Sequence, residues 1–582
     1  MLKYPPIYTE ESECRDCYKC IRSCPVKAIK VENNCATIMR EYCIACGYCV
    51  EVCPNGAKKV RDDVPYARKA LEQHSRVIVS LAPSFVNEFS DIQPAQLIAA
   101  IRGLGFFGVS ETALGAQQVS AHTAIALQES KNKILFSSAC PTAVEFIRKY
   151  HPEYTDKVMD LLSPLLTHSK LLRRTFGDDI GVVFIGPCIA KKREADERED
   201  LVDVALTFEE LHGWLKEKGI HPEELTPGPE DHFIPDEARE GALYPISGGM
   251  AAGIKAECDP GVSFTSISGL RGIDKALAGL QNWTPADNVF VELLACPGGC
   301  INGPKVHRFS GTVRKRYEVI HYSKSSGIVE EPLFPINELL PTSLPEQPVF
   351  SEVQIHEALV SVGKNSSADE RNCSGCGYET CRQFAGALLA GKAERTMCTT
   401  YMRQLAQKKT NALMSKMPSA AVILDDQLRI IDANMKFLAM FDRVPTNEQP
   451  NLLEGLYLGE IIPIVPFCHM FKRVLTTGQD VLERDFRLRG TIVHVTIFTI
   501  DPHTVVGAIL QDITTSRLKK EQIISRAQQV IQKNLKTVQQ IAFLLGENAA
   551  QSEITLNSIV ESFAPDDVDD DTGDEEEEED VK

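Results

Sequence analysis

Eight cysteines near the N-terminus stand at spacings that suit one kind of chemistry. Residues 14–24 run Cys14-x2-Cys17-x2-Cys20-x3-Cys24-Pro25, and residues 43–53 repeat the run as Cys43-x2-Cys46-x2-Cys49-x3-Cys53-Pro54. Spacings this short let three thiolates of one loop bind one cubane while the fourth cysteine crosses to the other cluster. The pattern assigns Cys14, Cys17, Cys20 and Cys53 to one [4Fe-4S] cluster and Cys43, Cys46, Cys49 and Cys24 to a second. Two zinc knuckles are the competing reading, since four thiolates also suit zinc. Zinc, however, leaves the duplicated, interlocked pattern unexplained. Such a pair passes single electrons; neither substrate nor direction follows from it.

The other cysteines fall into two further sets. Three motifs hold four of them: Phe136-Ser137-Ser138-Ala139-Cys140-Pro141, Gly186-Pro187-Cys188-Ile189-Ala190-Lys191, and Leu294-Ala295-Cys296-Pro297-Gly298-Gly299-Cys300. A later run, Cys373-x2-Cys376-x4-Cys381-x16-Cys398, resembles the small four-cysteine [4Fe-4S] domain found beside redox and corrinoid proteins. Zinc competes more seriously there, because a single four-cysteine site lacks the duplicated signature. Of nineteen cysteines only Cys35, Cys258 and Cys468 are left over.

The elements around these motifs must bring distant thiols together. Val77–Leu81 and Val182–Ile185 are short β-branched runs, whereas Ala95–Gly103 and Thr142–His151 have helical spacing. An α/β core with partly parallel sheets is the natural reading. The first two motifs follow strand-like runs and the third opens a Gly-rich loop, where strand ends can converge.

Residues 5–62 resemble a bacterial-type ferredoxin domain, and residues 77–325 resemble the catalytic domain of [FeFe]-hydrogenases. The second resemblance implies that Cys140, Cys188, Cys296 and Cys300 hold a [4Fe-4S] cubane. It implies that Cys300 bridges this cubane to a diiron subsite with CO, cyanide and azadithiolate, together the H-cluster. Ala82-Pro83-Ser84 looks like the segment packed against that subsite, Lys191 like the lysine that donates to a bound cyanide, and Ser247-Gly248-Gly249-Met250 like a stretch of the pocket wall. A compact ammonium suits a buried anionic group. The competing reading of Lys191 is one surface lysine in a Lys-Lys-Arg run.

Departures from the family pattern narrow the expectation. The residue before the first cluster cysteine is a proton-passing cysteine in prototypical members and Ala139 here. A methyl group cannot shuttle protons. A relay serine becomes Met159, a cofactor-facing glutamine becomes Leu165, and two methionines become Gly186 and Leu294. Glu257 and Glu292 lie close in sequence to pocket-wall motifs and are the candidates for a replacement proton route. Each also reads as an ordinary salt-bridged or helix-capping glutamate.

The rest of the chain has the look of a sensor. Residues 326–370, rich in Pro, Ser and Glu, read as a connector, and 371–410 as the third iron–sulfur domain. Residues 414–513 open with a hairpin around Asp425-Asp426-Gln427, run into a helix, and look like an α+β PAS domain with later strands at 491–500 and 504–512. Cys468 or His469 could serve as a ligand there, although a buried Cys or satisfied His is the blander reading. Residues 514–563 have the apolar spacing of a helical hairpin or dimer seam, and 564–582 read as a disordered acidic tail.

Composition fits a multidomain α/β protein of 582 residues. Of a net charge of −18, the last seventeen residues carry −11, so the body lacks the clustered cations of a nucleic-acid surface. No apolar run is long enough to span a membrane and the first residues do not form a signal peptide, so a cytoplasmic location is expected. The sequence thus predicts a ferredoxin-like domain (1–62), a hydrogenase-like domain (77–325) and three accessory [4Fe-4S] clusters besides the H-cluster. It also predicts slow, reversible H2 oxidation and proton reduction coupled to H2 or redox sensing. A ferredoxin-like or other one-electron partner, a downstream signalling protein and a homodimer are the expected company. The alternative is a non-catalytic iron–sulfur scaffold or assembly protein without the diiron subsite.

Overall fold

The computed structural model describes residues 4–131, 133–255, 261–306, 311–323, 331–338, 345, 348–441, 455–462, 465–478, 481–488, 491–513 and 529–538. Two compact units divide the chain, Met1–Tyr401 and Met402–Lys582. Among the described residues, no helix is long and apolar enough to cross a membrane.

The strands of the first unit are β1 (Ile7–Thr9), β2 (Ile29–Glu32), β3 (Cys35–Ile38), β4 (Lys58–Val60), β5 (Val77–Leu81), β6 (Gly108–Glu111), β7 (Ile134–Phe136), β8 (Gly181–Gly186), β9 (Val204–Thr207), β10 (Val262–Ser268) and β11 (Asn288–Leu294). The N-terminal part pairs β1 with β4 and β2 with β3, both antiparallel. Each four-cysteine run there bends through a short helix, Lys19–Ser23 or Tyr48–Val52.

Two parallel sheets follow, in the orders β6-β5-β8-β9 and β10-β11-β7. β5 and β8 are buried along their whole length, as expected of β-branched runs covered on both faces. Helix Thr112–Glu129 is buried on most sides and lies against helix Pro164–Phe176. Gly115 permits the approach: a Cβ there would stand 2.2 Å from the Pro164 carbonyl oxygen. Proline at the first helical position starts Pro94–Gly103, Pro141–Tyr150 and Pro164–Phe176, and the Ser163 side chain caps the last by accepting from the Leu166 amide.

The stretch 326–370 is less of a connector than its composition suggests. Phe334 and Ile336 are buried in the main core, and the Leu162 amide donates to the Ile336 carbonyl at 3.0 Å. Helix Glu352–Val360 contributes Ala358 and Leu359 to a small core with Cys381 and Ala385 of helix Cys381–Leu389. Apolar side chains scattered between prolines and serines found partners that local composition could not foretell.

In the second unit β12 (Ala420–Asp425), β13 (Ile430–Ala433), β14 (Val481–Leu488), β15 (Thr491–Asp501) and β16 (Val505–Asp512) form one antiparallel sheet in the order β13-β12-β16-β15-β14. Helix Val465–Thr477 supplies Phe467, Phe471 and Val474 to a core with Val422, Leu424, Val495 and Leu510. Asn434 caps the helix after the hairpin by accepting from the Phe437 amide. Cys468 is buried beside the Ile462 carbonyl, the blander of its two readings. The predicted helical segment 514–563 is described only at 529–538, which are helical, and the predicted tail 564–582 lies outside the described residues.

Candidate functional site

The C-terminal ends of the two parallel sheets converge on one cavity. Cys188 comes two residues after β8, Cys296 two residues after β11, and Cys140 precedes helix Pro141–Tyr150 beyond β7. These three and Cys300 line a cavity of about 100 Å³ together with Ala82, Pro83, Ser84, Ala139, Lys191 and Glu292. Residues drawn from well-separated parts of the sequence thus meet where open α/β sheets bind ligands.

Burial, and after it the neighbouring thiols, push the Cys188 thiol up to about 11. The same causes hold Cys296 and Cys300 well above the usual thiol range. Four thiols gathered in an apolar wall lose their protons readily only to a cation held among them, which is the chemistry an iron–sulfur group supplies. Two further observations fit an anionic adduct beside it. The Ser84 hydroxyl is 1 % exposed and has no hydrogen-bond partner. The Lys191 ammonium, held by the Ser163 hydroxyl at 3.0 Å and the Glu194 carboxylate at 2.5 Å, stands in the cavity wall and not at the surface.

Glu292 has both characters expected of it. Its carboxylate accepts from the Gly248 amide at 2.8 Å and the Met250 amide at 3.3 Å, so it caps helix Gly249–Lys255, and it also lines the cavity. Burial raises its pKa against those hydrogen bonds. Ser247, Gly248 and Gly249 correct the expectation of a wall segment: none lines the cavity, whereas Met250 does. Their part is steric. A Cβ on Gly249 would meet the Leu243 carbonyl oxygen at 1.8 Å, and Gly248 turns at φ +87°. Glu257 lies outside the described residues. The sequence reading missed Thr112, Ala113 and Ala116 of helix Thr112–Glu129 and Tyr244, all in the wall. An unusual run of small residues after a strand was the one available signal.

The accessory thiols gather in sets as well. Burial raises Cys20, with lesser contributions from Cys17, Cys14 and Cys53; burial raises Cys46, with lesser contributions from Cys24, Cys49 and Cys43. Cys46 also lines the main cavity. Arg193 and Lys149 both donate to the Cys43 carbonyl, at 2.8 and 3.3 Å, and tie the two regions together. Cys373, Cys376, Cys381 and Cys398 line a second, smaller cavity with Tyr378 and Phe384. Among the described residues, no three or more acidic, His or Cys donors are gathered as a single-ion site; the thiols ring cavities instead.

The family model for the C-terminal domain of the iron-only hydrogenase large subunit matches residues 75–304. A 4Fe-4S dicluster domain matches residues 6–54 and an Fe-S cluster family matches residues 369–400. The NADP-reducing hydrogenase subunit HndD of Solidesulfovibrio fructosivorans is 27% identical over 351 residues, 49% of this chain and 60% of the relative. Iron hydrogenase 1 of Clostridium pasteurianum is 26% identical over 301 residues, 42% of this chain and 52% of the relative. Residues 75–304 form an [FeFe]-hydrogenase-family domain.

The chain spans little more than half the length of those two relatives. Protein NAR1 of Arabidopsis thaliana is also similar, at 24% identity over 342 residues, 45% of this chain and 71% of the relative. The solved structure of [FeFe]-hydrogenase HydA1 from Chlamydomonas reinhardtii aligns at a TM-score of 0.36 and 20% identity, over 46% of this chain and 91% of that one.

Proposed function

We propose that the chain is a slow, reversible hydrogenase that senses H2 or redox state. Cys140, Cys188, Cys296 and Cys300 would hold the cubane of an H-cluster, with Cys300 shared with its diiron part. That group supplies, when bound, the interconversion 2H+ + 2e− ⇌ H2. Lys191 and Ser84 would donate hydrogen bonds to its anionic ligands, and the apolar wall around Ala82, Pro83, Leu165 and Leu294 would exclude water. Ala139 offers no exchangeable proton, which accounts for slow turnover. Glu292, and Glu257 with it, would carry protons in its stead.

The observation that carries this reading is the unpartnered Ser84 hydroxyl, which shares the cavity wall with Lys191 and the four thiols. Two donors in the wall of an apolar cavity suit a group with anionic ligands better than a bare cubane. Cys14, Cys17, Cys20 and Cys53, then Cys24, Cys43, Cys46 and Cys49, then Cys373, Cys376, Cys381 and Cys398 would hold three accessory [4Fe-4S] clusters. They would exchange electrons with a ferredoxin-like or other one-electron partner in the cytoplasm. Residues 414–513 would act as a PAS domain, passing the state of the site through the helices at 514–563 to a signalling partner, in a homodimer.

Ala139 also favours a second reading, an iron–sulfur scaffold without the diiron part. Infrared spectra of protein matured with the diiron cofactor decide between them. CO and cyanide bands that shift under H2 are expected; their absence, with the iron–sulfur clusters intact, would leave only the scaffold.

A further inference from the structure

The proposed function leaves open how protons cross the protein body, and a buried carboxyl outside the sequence motifs bears on that question. Glu240 opens the short turn Glu240–Leu243 and is 2 % exposed. Neither of its carboxylate oxygens has a hydrogen-bond partner. Other buried acids of this unit are satisfied: Glu111 accepts from the Ala238 amide and the Tyr322 hydroxyl, and Glu292 from two amides. Among the described residues, no other acid has both carboxylate oxygens buried without a partner. A buried carboxyl that no hydrogen bond anchors is a group that can carry a proton from one neighbour to the next.

Its surroundings point inward. A Cβ built on Gly253 would stand 3.7 Å from the Glu240 Cβ and 4.0 Å from the Ser120 hydroxyl oxygen, so the glycine keeps a slot open between the two side chains. The Ser120 hydroxyl is hydrogen-bonded to the Tyr244 hydroxyl at 2.9 Å. Tyr244 lines the cavity, in the same wall as Glu292. Burial, and to a smaller extent the Glu292 charge, keep the Tyr244 phenol protonated, which lets it receive one proton as it releases another. On the outer side, Arg239 next to Glu240 and Ala252 next to Gly253 are exposed, so the carboxyl sits one layer beneath the surface.

We propose that Glu240, Ser120 and Tyr244 form a proton relay into the cavity, with Glu240 as its outer acid. The carboxyl, anchored by no hydrogen bond, swings across the slot at Gly253 and gives its proton to the Ser120 oxygen. The Ser120 hydroxyl proton passes to the Tyr244 oxygen, and the Tyr244 proton enters the cavity. Each hydroxyl ends with one proton, as it began, and resets by rotation; Glu240 is left a carboxylate and is reprotonated from water. No redox partner enters this transfer, and H2 oxidation runs it in reverse. The relay deepens the hydrogenase reading and rests on it.

The test uses full-length protein matured with the diiron cofactor. Glu240→Gln keeps the shape but has no proton to pass on. Gly253→Ala fills the slot at ordinary contact distances and, inside a helix, costs no fold stability. Both are expected to slow turnover roughly tenfold or more and to raise the solvent isotope effect, with CO and cyanide bands at their unmutated positions. Glu240→Gln should also remove a protonated-carboxyl band from the H2-minus-argon infrared difference spectrum. Unchanged turnover, isotope effect and carboxyl band in Glu240→Gln would overturn the relay alone, as would unchanged turnover in Gly253→Ala should the first variant fail to fold. Missing CO and cyanide bands in the unmutated protein would overturn the relay and the hydrogenase reading together.

Discussion

His168 shows how a single side chain can be invisible in sequence and decisive in place. Its Nδ1 meets the Ser80 hydroxyl at 2.7 Å and its Nε2 the Ser110 hydroxyl at 2.9 Å; Ser80 in turn meets the cavity-wall residue Thr112 at 2.7 Å. Burial holds this imidazole neutral, with a pKa lowered from 6.5 to about 3. Below pH 6.5 the unfolded chain takes up a proton that the folded one refuses until about pH 3. The unfolded state then binds more protons, and stability falls with pH across that window and is unaffected by this group above it. Unfolding free energies from denaturant titrations between pH 7 and pH 4 should therefore decline less steeply in His168→Gln, by up to about 1.4 kcal/mol per pH unit. Equal slopes in the two proteins would refute the assignment. A histidine between Thr167 and Ser169 in a helix carries no mark of such burial, because its partners come from two strands far back in the chain. The cysteines of the two N-terminal runs stood out for the opposite reason: their spacing within short loops is itself what a four-thiolate cluster needs.

The elements tell a similar story at the junction of the third four-cysteine region with the N-terminal one. Helix Lys19–Ser23 is the platform: Arg22 donates to the Gly375 carbonyl at 3.3 Å and to the Cys17 carbonyl at 3.0 Å, and Ile21 packs in one core with Tyr378, Phe384 and Met397. The Val31 amide donates to the Lys392 carbonyl at 3.2 Å. Gly377 sits at φ +96°, where a Cβ would lie 2.8 Å from the Ile21 Cγ2. Gly377→Ala combines a left-handed strain of about 1–2 kcal/mol with that clash. Amide hydrogen exchange across residues 373–398 should rise while the parallel sheets stay protected; unaltered exchange would mean that the contact is dispensable. Strands were readable where a continuous β-branched run or an alternating pattern marked them, as in β5 and β8 or the hairpin β12–β13. Which elements would dock together was not readable, because Ile21 and Tyr378 look like ordinary loop neighbours of cysteines until the fold joins them.

At the level of the whole molecule each unit carries its own core. In Met1–Tyr401 the largest core joins β5, β6, β8 and β9 to the helices on both faces, and in Met402–Lys582 the sheet β12–β16 closes over Phe437, Phe467 and Phe471. The order of the dicluster, hydrogenase and four-cysteine regions was legible, since each has a local signature. Their limits were not: Phe334 and Ile336 left the expected connector for the main core, and helix Thr399–Lys416 runs through the expected boundary near 410. A chain ending after Lys416 keeps every thiol set and every cavity-wall residue. If sensing and chemistry are separable, this shortened chain should bind its full complement of iron, show the CO and cyanide bands of the full-length protein and turn over H2 within about twofold of it, since independent cores contribute stability additively. It should lose only the ability to pass the state of the site to a partner. Loss of those bands on truncation would instead show that residues beyond 416 help to build the cavity, and that the split into a catalytic unit and a signalling unit fails.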